Sequence, residues 1–251
     1  MPITGRPPAP GIGSGHAARR PLIAAAQAGQ VAEVRSLVTA DPGLLTARSM
    51  FGAGAVHAAH YAGQDAVLAV LAELGLVTDG FLAAELGRGP ELRAALAADP
   101  GLATRFGDGG MTALHGAVYW GQHGTADLLL GAGADVNAVS RDGFLQIAPL
   151  GSAVATTPGV PQPSDDEDTV LALVRLLLDH GAEVSAQRRD GMTALHTACW
   201  RGLGRVAGEL LSAGADPALT ATGGPHQGET PAATARAQGH SDLAARLDAA
   251  G

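Results

Sequence analysis

Two side chains of this sequence have the types needed for proton transfer, His60 and Glu85. A histidine and a carboxylate held near each other can do acid–base work at neutral pH. A second set has the types needed for recognition. The chain holds two Tyr and two Trp, and each stands just before a glycine. Tyr61 lies two residues before Gly63, Tyr119 and Trp120 two and one before Gly121, and Trp200 two before Gly202 with Arg201 between. Glu85 takes the same place before Gly87. Aromatic residues are only 3% of the chain, so this placement is a pattern and not a scatter. Rigid rings supply contact area with few rotors, and truncating the best of them costs about 2 kcal/mol or more in binding. A carboxylate among rings favours a cationic or hydrogen-bond-donating group.

Other candidates have plainer readings. Asp165, Asp166, Glu167 and Asp168 form an acidic run without calcium-loop spacing, and a run just before a helix suits the helix dipole. The segment Gly202-Leu203-Gly204-Arg205-Val206-Ala207-Gly208 imitates a dinucleotide glycine pattern, but no strand precedes it. Cys199 is the single cysteine, so no internal disulfide forms, and it reads as an inert packed thiol. No zinc motif and no nucleophile elbow occurs, so neither a metal nor a cofactor is expected.

These residues must be positioned by repeated elements. Gly110-Met111-Thr112-Ala113-Leu114-His115 and Gly191-Met192-Thr193-Ala194-Leu195-His196 are nearly identical. Each is followed by a glycine six residues after its His, a Leu-rich run, and Gly-Ala-Asp (Gly133-Ala134-Asp135, Gly214-Ala215-Asp216). Anchoring each unit on the glycine that ends its first helix gives Gly29, Gly63, Gly87, Gly121, Gly202 and Gly239. Gly29 to Gly63 and Gly87 to Gly121 are both steps of 34 residues. The step from Gly63 to Gly87 is only 24, so that link has lost a hairpin. The step of 81 from Gly121 to Gly202 hides a fifth repeat. It opens at Ala148-Pro149-Leu150 and closes with Val170 to Leu178, and a loop over about 155–168 interrupts it.

This order resembles the ankyrin repeat, of bacterial type, over roughly residues 21–251. The likeness is strong in the fourth and sixth repeats and in Thr230-Pro231…Gly239-His240, and weaker in the first three. It implies an all-α solenoid of about seven helix pairs joined by short hairpin links. Thr112 and Thr193 are placed to cap first helices, with His115 and His196 tying the same turn, and His57 takes the equivalent place. Asp41-Pro42-Gly43 and Asp99-Pro100-Gly101 read as helix stops. Residues 1–20 read as a flexible tail.

The resemblance implies a binding module, usually for another protein, and carries over no catalytic residue set. The first reading is therefore a scaffold that presents Tyr61, Glu85, Tyr119, Trp120, Trp200 and Arg201 along a concave groove to a protein partner. The other reading is a groove closed into a pocket for a small molecule, or a cofactor-free enzyme using His60 and Glu85. A net charge of −8 argues against sequence-independent nucleic-acid binding. The absence of a long apolar run argues against a membrane span. The expected location is the cytoplasm.

Overall fold

The computed structural model describes residues 15–45, 54–76, 78–107, 109–155 and 165–249, the side chains of 15–19 excepted. Most of the expected tail and of the 155–168 loop lies outside these residues. The described residues fall into two compact units, one ending at Leu76 and one beginning at Thr78. They are helical, and among them the only extended pairing is an isolated bridge between Phe106 and Thr112.

The first unit has two helix pairs, α1 (Gly15–Gln27) with α2 (Val31–Ala40), and α3 (Ala55–Tyr61) with α4 (Asp65–Glu73). Helix α1 begins inside the segment expected as tail. It packs on α3, and α2 packs on α4. Leu22, Ala26, Val34, Val38, Ala59, Val67 and Leu71 are buried there. Helix α2 stops at Asp41, whose Oδ1 accepts the Gly43 N–H at 3.1 Å.

The second unit has five pairs: α5 (Gly80–Glu85) and α6 (Gly89–Ala98), α7 (Ala113–Tyr119) and α8 (His123–Gly131), α9 (Pro149–Val154) and α10 (Glu167–Asp179), α11 (Ala194–Arg201) and α12 (Gly204–Ser212), α13 (Pro231–Ala237) and α14 (Ser241–Asp248). First helices pack in the row α5, α7, α9, α11, α13, and second helices in the row α6, α8, α10, α12. Helices this short are unstable alone in water. Each pair covers the apolar face of its neighbour, so Leu114, Leu129, Leu150, Leu173, Leu195 and Leu210 form one continuous core. The interrupted fifth repeat is present, with α10 starting at Glu167.

Local chemistry explains why the motifs recur. The Thr112 hydroxyl accepts the His115 N–H, and the Thr112 N–H donates to His115 Nδ1 at 3.2 Å. Thr193 and His196 repeat this arrangement. With Nδ1 accepting, Nε2 is left to donate into the next repeat, to Ile147 O at 3.0 Å from His115 and to Glu229 O at 3.2 Å from His196. His57 accepts the Gly54 N–H on Nδ1 in the first unit. The six anchoring glycines all have left-handed φ. Gly110 adds a steric demand: a Cβ there would sit 2.6 Å from the Arg141 carbonyl carbon. Stacking is also written into the residue after each turn. The Gln122 side chain lies over Gly87, and His240 lies over Gly202.

Candidate functional site

The row of first helices in the second unit ends in the residues singled out by sequence. Trp200 lies in the last turn of α11 and is 39% exposed, one of few large apolar side chains so open among the described residues. Its neighbour Arg201 is half-buried and donates from Nη1 to Val154 O, at the end of α9, at 2.7 Å. A cation at the last carbonyl of a helix opposes the negative end of its dipole. Burial pushes the Arg201 guanidinium down from its ordinary value, while Asp165, Glu167 and Tyr119 act the other way. Tyr119, half-buried at the end of α7, therefore belongs to the same neighbourhood. Glu85, half-buried at the end of α5, lies across Gly116 of α7, where a Cβ would meet its Cγ at 2.7 Å.

Trp120 does not join this surface. It is only 1% exposed and is the largest fully buried side chain among the described residues. Consecutive helical positions are turned by about 100°. Tyr119 and Trp120 therefore take different directions, and their rings meet edge to face at 5.4 Å and 88°. Trp120 holds the repeat position of Arg201, which stays half-buried with its guanidinium on Val154 O. The sequence expectation that Trp120 is presented along the groove is corrected by its burial.

Tyr61 and His60 belong to the first unit, whereas Glu85 belongs to the second. Both are half-buried, and their rings stand 4.9 Å apart at 78°. A hollow of about 730 Å³ lies on α1 and α2, lined by Pro21, Ala24, Ala28, Val31 and Glu33 among others. Neither His60 nor Glu85 borders it, and its lining is largely alanine.

The acidic run has structural duties where it is described. Asp166 caps α10, its Oδ2 accepting the Thr169 N–H at 2.9 Å, and that hydrogen bond leads the effects holding its carboxyl below the usual range. Glu167 Oε1 accepts the Arg205 N–H at 2.8 Å and so caps α12, while Asp168 pairs with the Arg205 side chain. Among the described residues no group of three or more His, Cys, Asp or Glu is placed to hold a metal. Cys199 is buried, and burial pushes its thiol up to about 12. Among the described residues no helix is long and apolar enough to cross a membrane.

One exposed apolar feature escaped the sequence reading. The link between α8 and α9 carries Val139, Phe144 and Leu145 at 53%, 84% and 38% exposure. Its signal was an apolar pair set beside arginine in a turn, which a search by helical period passes over.

A model of the ankyrin repeat matches residues 109–141, which hold α7 and α8. A second, for ankyrin repeats in many copies, matches residues 167–207, from α10 into α12. The chain is an ankyrin-repeat protein. Its ankyrin repeats are similar to the mouse (Mus musculus) B-cell lymphoma 3 protein homolog, with 41% identity over 111 residues, 44% of this chain and 21% of that protein. The chain thus spans about a fifth of the length of that relative. These matches support the repeat and carry nothing about a bacterial subtype. Ankyrin repeats generally mediate protein–protein interaction, through the extended surfaces that stacked units present.

Proposed function

We propose that this ankyrin-repeat chain is a protein-binding module whose contact surface runs along the ends of the first helices. In the second unit that surface comprises Glu85, Tyr119, Trp200 and Arg201. Tyr61 is the corresponding residue of the first unit. Trp120 supports the surface from beneath and does not touch the partner. The observation that carries the reading is the exposure of Trp200. A folded chain gains by burying a ring of this size, and an open Trp beside a fixed Arg is the composition of an interface hot spot. Arg201 is already held by Val154 O, so little side-chain freedom is lost when a partner arrives.

The test is a quantitative affinity capture from lysate of the source organism. Wild type is compared with Trp200→Ala and with Asp242→Ala, an acidic position in the first turn of α14. A specific protein retained by wild type and the control, and lost at least about tenfold by Trp200→Ala, supports the surface. Equal retention by all three sinks it, as does the absence of any retained protein.

A further inference from the structure

The hairpin between α8 and α9 is built to hold an apolar tip open to solvent. Ser140 N–H donates to Ile147 O at 2.9 Å, and Ile147 N–H returns to Ser140 Oγ at 3.0 Å. Asp142 is used up inside the turn. Its carboxylate accepts the N–H groups of Phe144 and Leu145 at 2.6 and 2.7 Å and the Ser140 hydroxyl at 2.8 Å. Gln146 is held at φ 48°, the only described non-glycine residue with positive φ. The neighbouring hairpin locks the other side, where Arg189 N–H donates to Leu145 O at 2.8 Å and the Arg189 guanidinium donates to Gly143 O. Phe144 is thus presented by a turn fixed from two directions, yet it remains 84% exposed. Burying such a side chain is favourable, and the isolated chain leaves that gain unused.

The charge around the tip has one sign to spare. Arg141 lies 3.9 Å over the Phe106 ring, a contact that leaves the edge of its guanidinium open for hydrogen bonds. Arg189 bonds only carbonyl oxygens. Both are exposed, and neither has a carboxylate partner among the described residues. The acids close by in sequence are committed, Asp142 to the turn and Asp190 to Arg188 at 2.6 Å. Asp142 bonds only neutral donors and keeps its charge, so Arg141 and Arg189 leave the hairpin one positive charge in excess beside an open Phe, on a chain of net charge −8.

From this juxtaposition we infer that the 138–147 hairpin is a second docking point, separate from the first-helix surface, for an acidic peptide segment of a partner protein that carries an apolar side chain. Carboxylates of the segment meet Arg141 and Arg189, and its apolar residue covers Phe144 and Leu145. Guanidinium groups favour carboxylates through paired N–H donors. The fixed turn means that no loop must be ordered on binding.

The experiment uses the full chain and synthetic fluorescein-labelled probes read by fluorescence anisotropy. The probes are an Asp/Glu peptide with a central Leu-Phe, the same peptide with Ser-Ser at the centre, its Lys/Arg counterpart, and an oligothymidylate. Wild type is expected to bind the first probe saturably and the others at least about tenfold more weakly, about 1.4 kcal/mol. Phe144→Ser and the double variant Arg141→Gln/Arg189→Gln are each expected to weaken the first probe by a similar factor. The double variant is also expected to lose most of the salt dependence. Phe144 makes little contact with the fold, so Phe144→Ser keeps the wild-type circular dichroism and melting midpoint. No saturable binding by wild type overturns the inference, as does equal binding by Phe144→Ser or a preference for the basic peptide or the oligonucleotide. These outcomes do not depend on Trp200, so the docking point stands or falls apart from the first-helix surface.

Discussion

Nε2 of His115 lies 3.0 Å from the carbonyl oxygen of Ile147, which sits 32 residues further on and opens the next repeat. The same ring takes the Thr112 N–H on Nδ1, so one buried imidazole joins a helix cap to the neighbouring unit. His115→Ala leaves a buried N–H and a buried C=O without this partner and should cost at least about 2 kcal/mol. Thr112→Ala, which removes the cap hydroxyl alone, should cost about 1 kcal/mol. Urea unfolding followed by circular dichroism gives both values, and a His115→Ala loss no larger than that of Thr112→Ala would refute the bridging role.

Stability should fall on mild acidification. Burial lowers the pKa of His115 and of His196 below the ordinary 6.5, and the carbonyls of Ile147 and Glu229 only partly offset this. The unfolded chain therefore binds more protons than the native one once pH drops below about 6.5. The stabilisation is complete above that value and declines as pH falls toward the lowered native pKa values. Urea midpoints measured from pH 7.5 to 5 should decrease, and the double variant His115→Asn/His196→Asn should flatten the slope. The capping carboxylates Asp142, Asp166 and Asp190 are held below 3.8, so their contribution is lost only in stronger acid. A flat wild-type profile between pH 7.5 and 5 would contradict this account.

Two glycines separate backbone strain from collision. Gly133 has φ 88° with nothing within 4 Å of a Cβ, so Gly133→Ala should cost about 1–2 kcal/mol from the left-handed conformation alone. Gly110 has φ 74° and would also place its Cβ against backbone atoms of Arg141 and Asp142. Gly110→Ala should be the more damaging of the two in thermal melts. An equal shift for both variants would remove the steric argument.

Neighbouring positions of the repeat can have opposite duties, as Trp120 and Trp200 show. Trp120→Ala should lose about 3–5 kcal/mol, because it empties a buried site. Trp200→Ala should change stability by well under half of that. Denaturant titration of both variants decides it, and a large loss from Trp200→Ala would reassign that ring to the core.

The buried thiol offers a probe of opening. With its pKa at about 12, Cys199 has almost no thiolate at pH 8 while native. Its reaction with a chromogenic disulfide should therefore proceed only through unfolding and accelerate with urea in step with the unfolded fraction. Rapid labelling of the native protein would show that the thiol is reached without unfolding.

Much of the fold was readable because its demands are local. A left-handed turn needs glycine, and a first helix needs an oxygen at its cap. Gly87, Gly121 and Gly202 therefore marked their repeats, and Thr112 and Thr193 marked their helix starts. The interrupted fifth repeat was recoverable for the same reason. The shortened step between Gly63 and Gly87 also spans the point where the second unit begins. Direction was harder to read. A one-residue offset sends Trp120 inward and Trp200 outward, and only the packed neighbours decide which way a ring turns. The Phe144 tip was missed because it belongs to no helix period and its setting depends on Arg189, far along the chain.

The bond from His115 to Ile147 also sets an order of events during synthesis. The fourth repeat can leave the ribosome with its helices complete and its histidine still lacking the acceptor that finishes it. At about 5–20 residues per second, the missing carbonyl follows the end of α8 by about 1–3 s. Each repeat of this kind is therefore completed by the one translated after it, and a nascent chain arrested short of residue 147 carries an unfinished edge toward the tunnel exit.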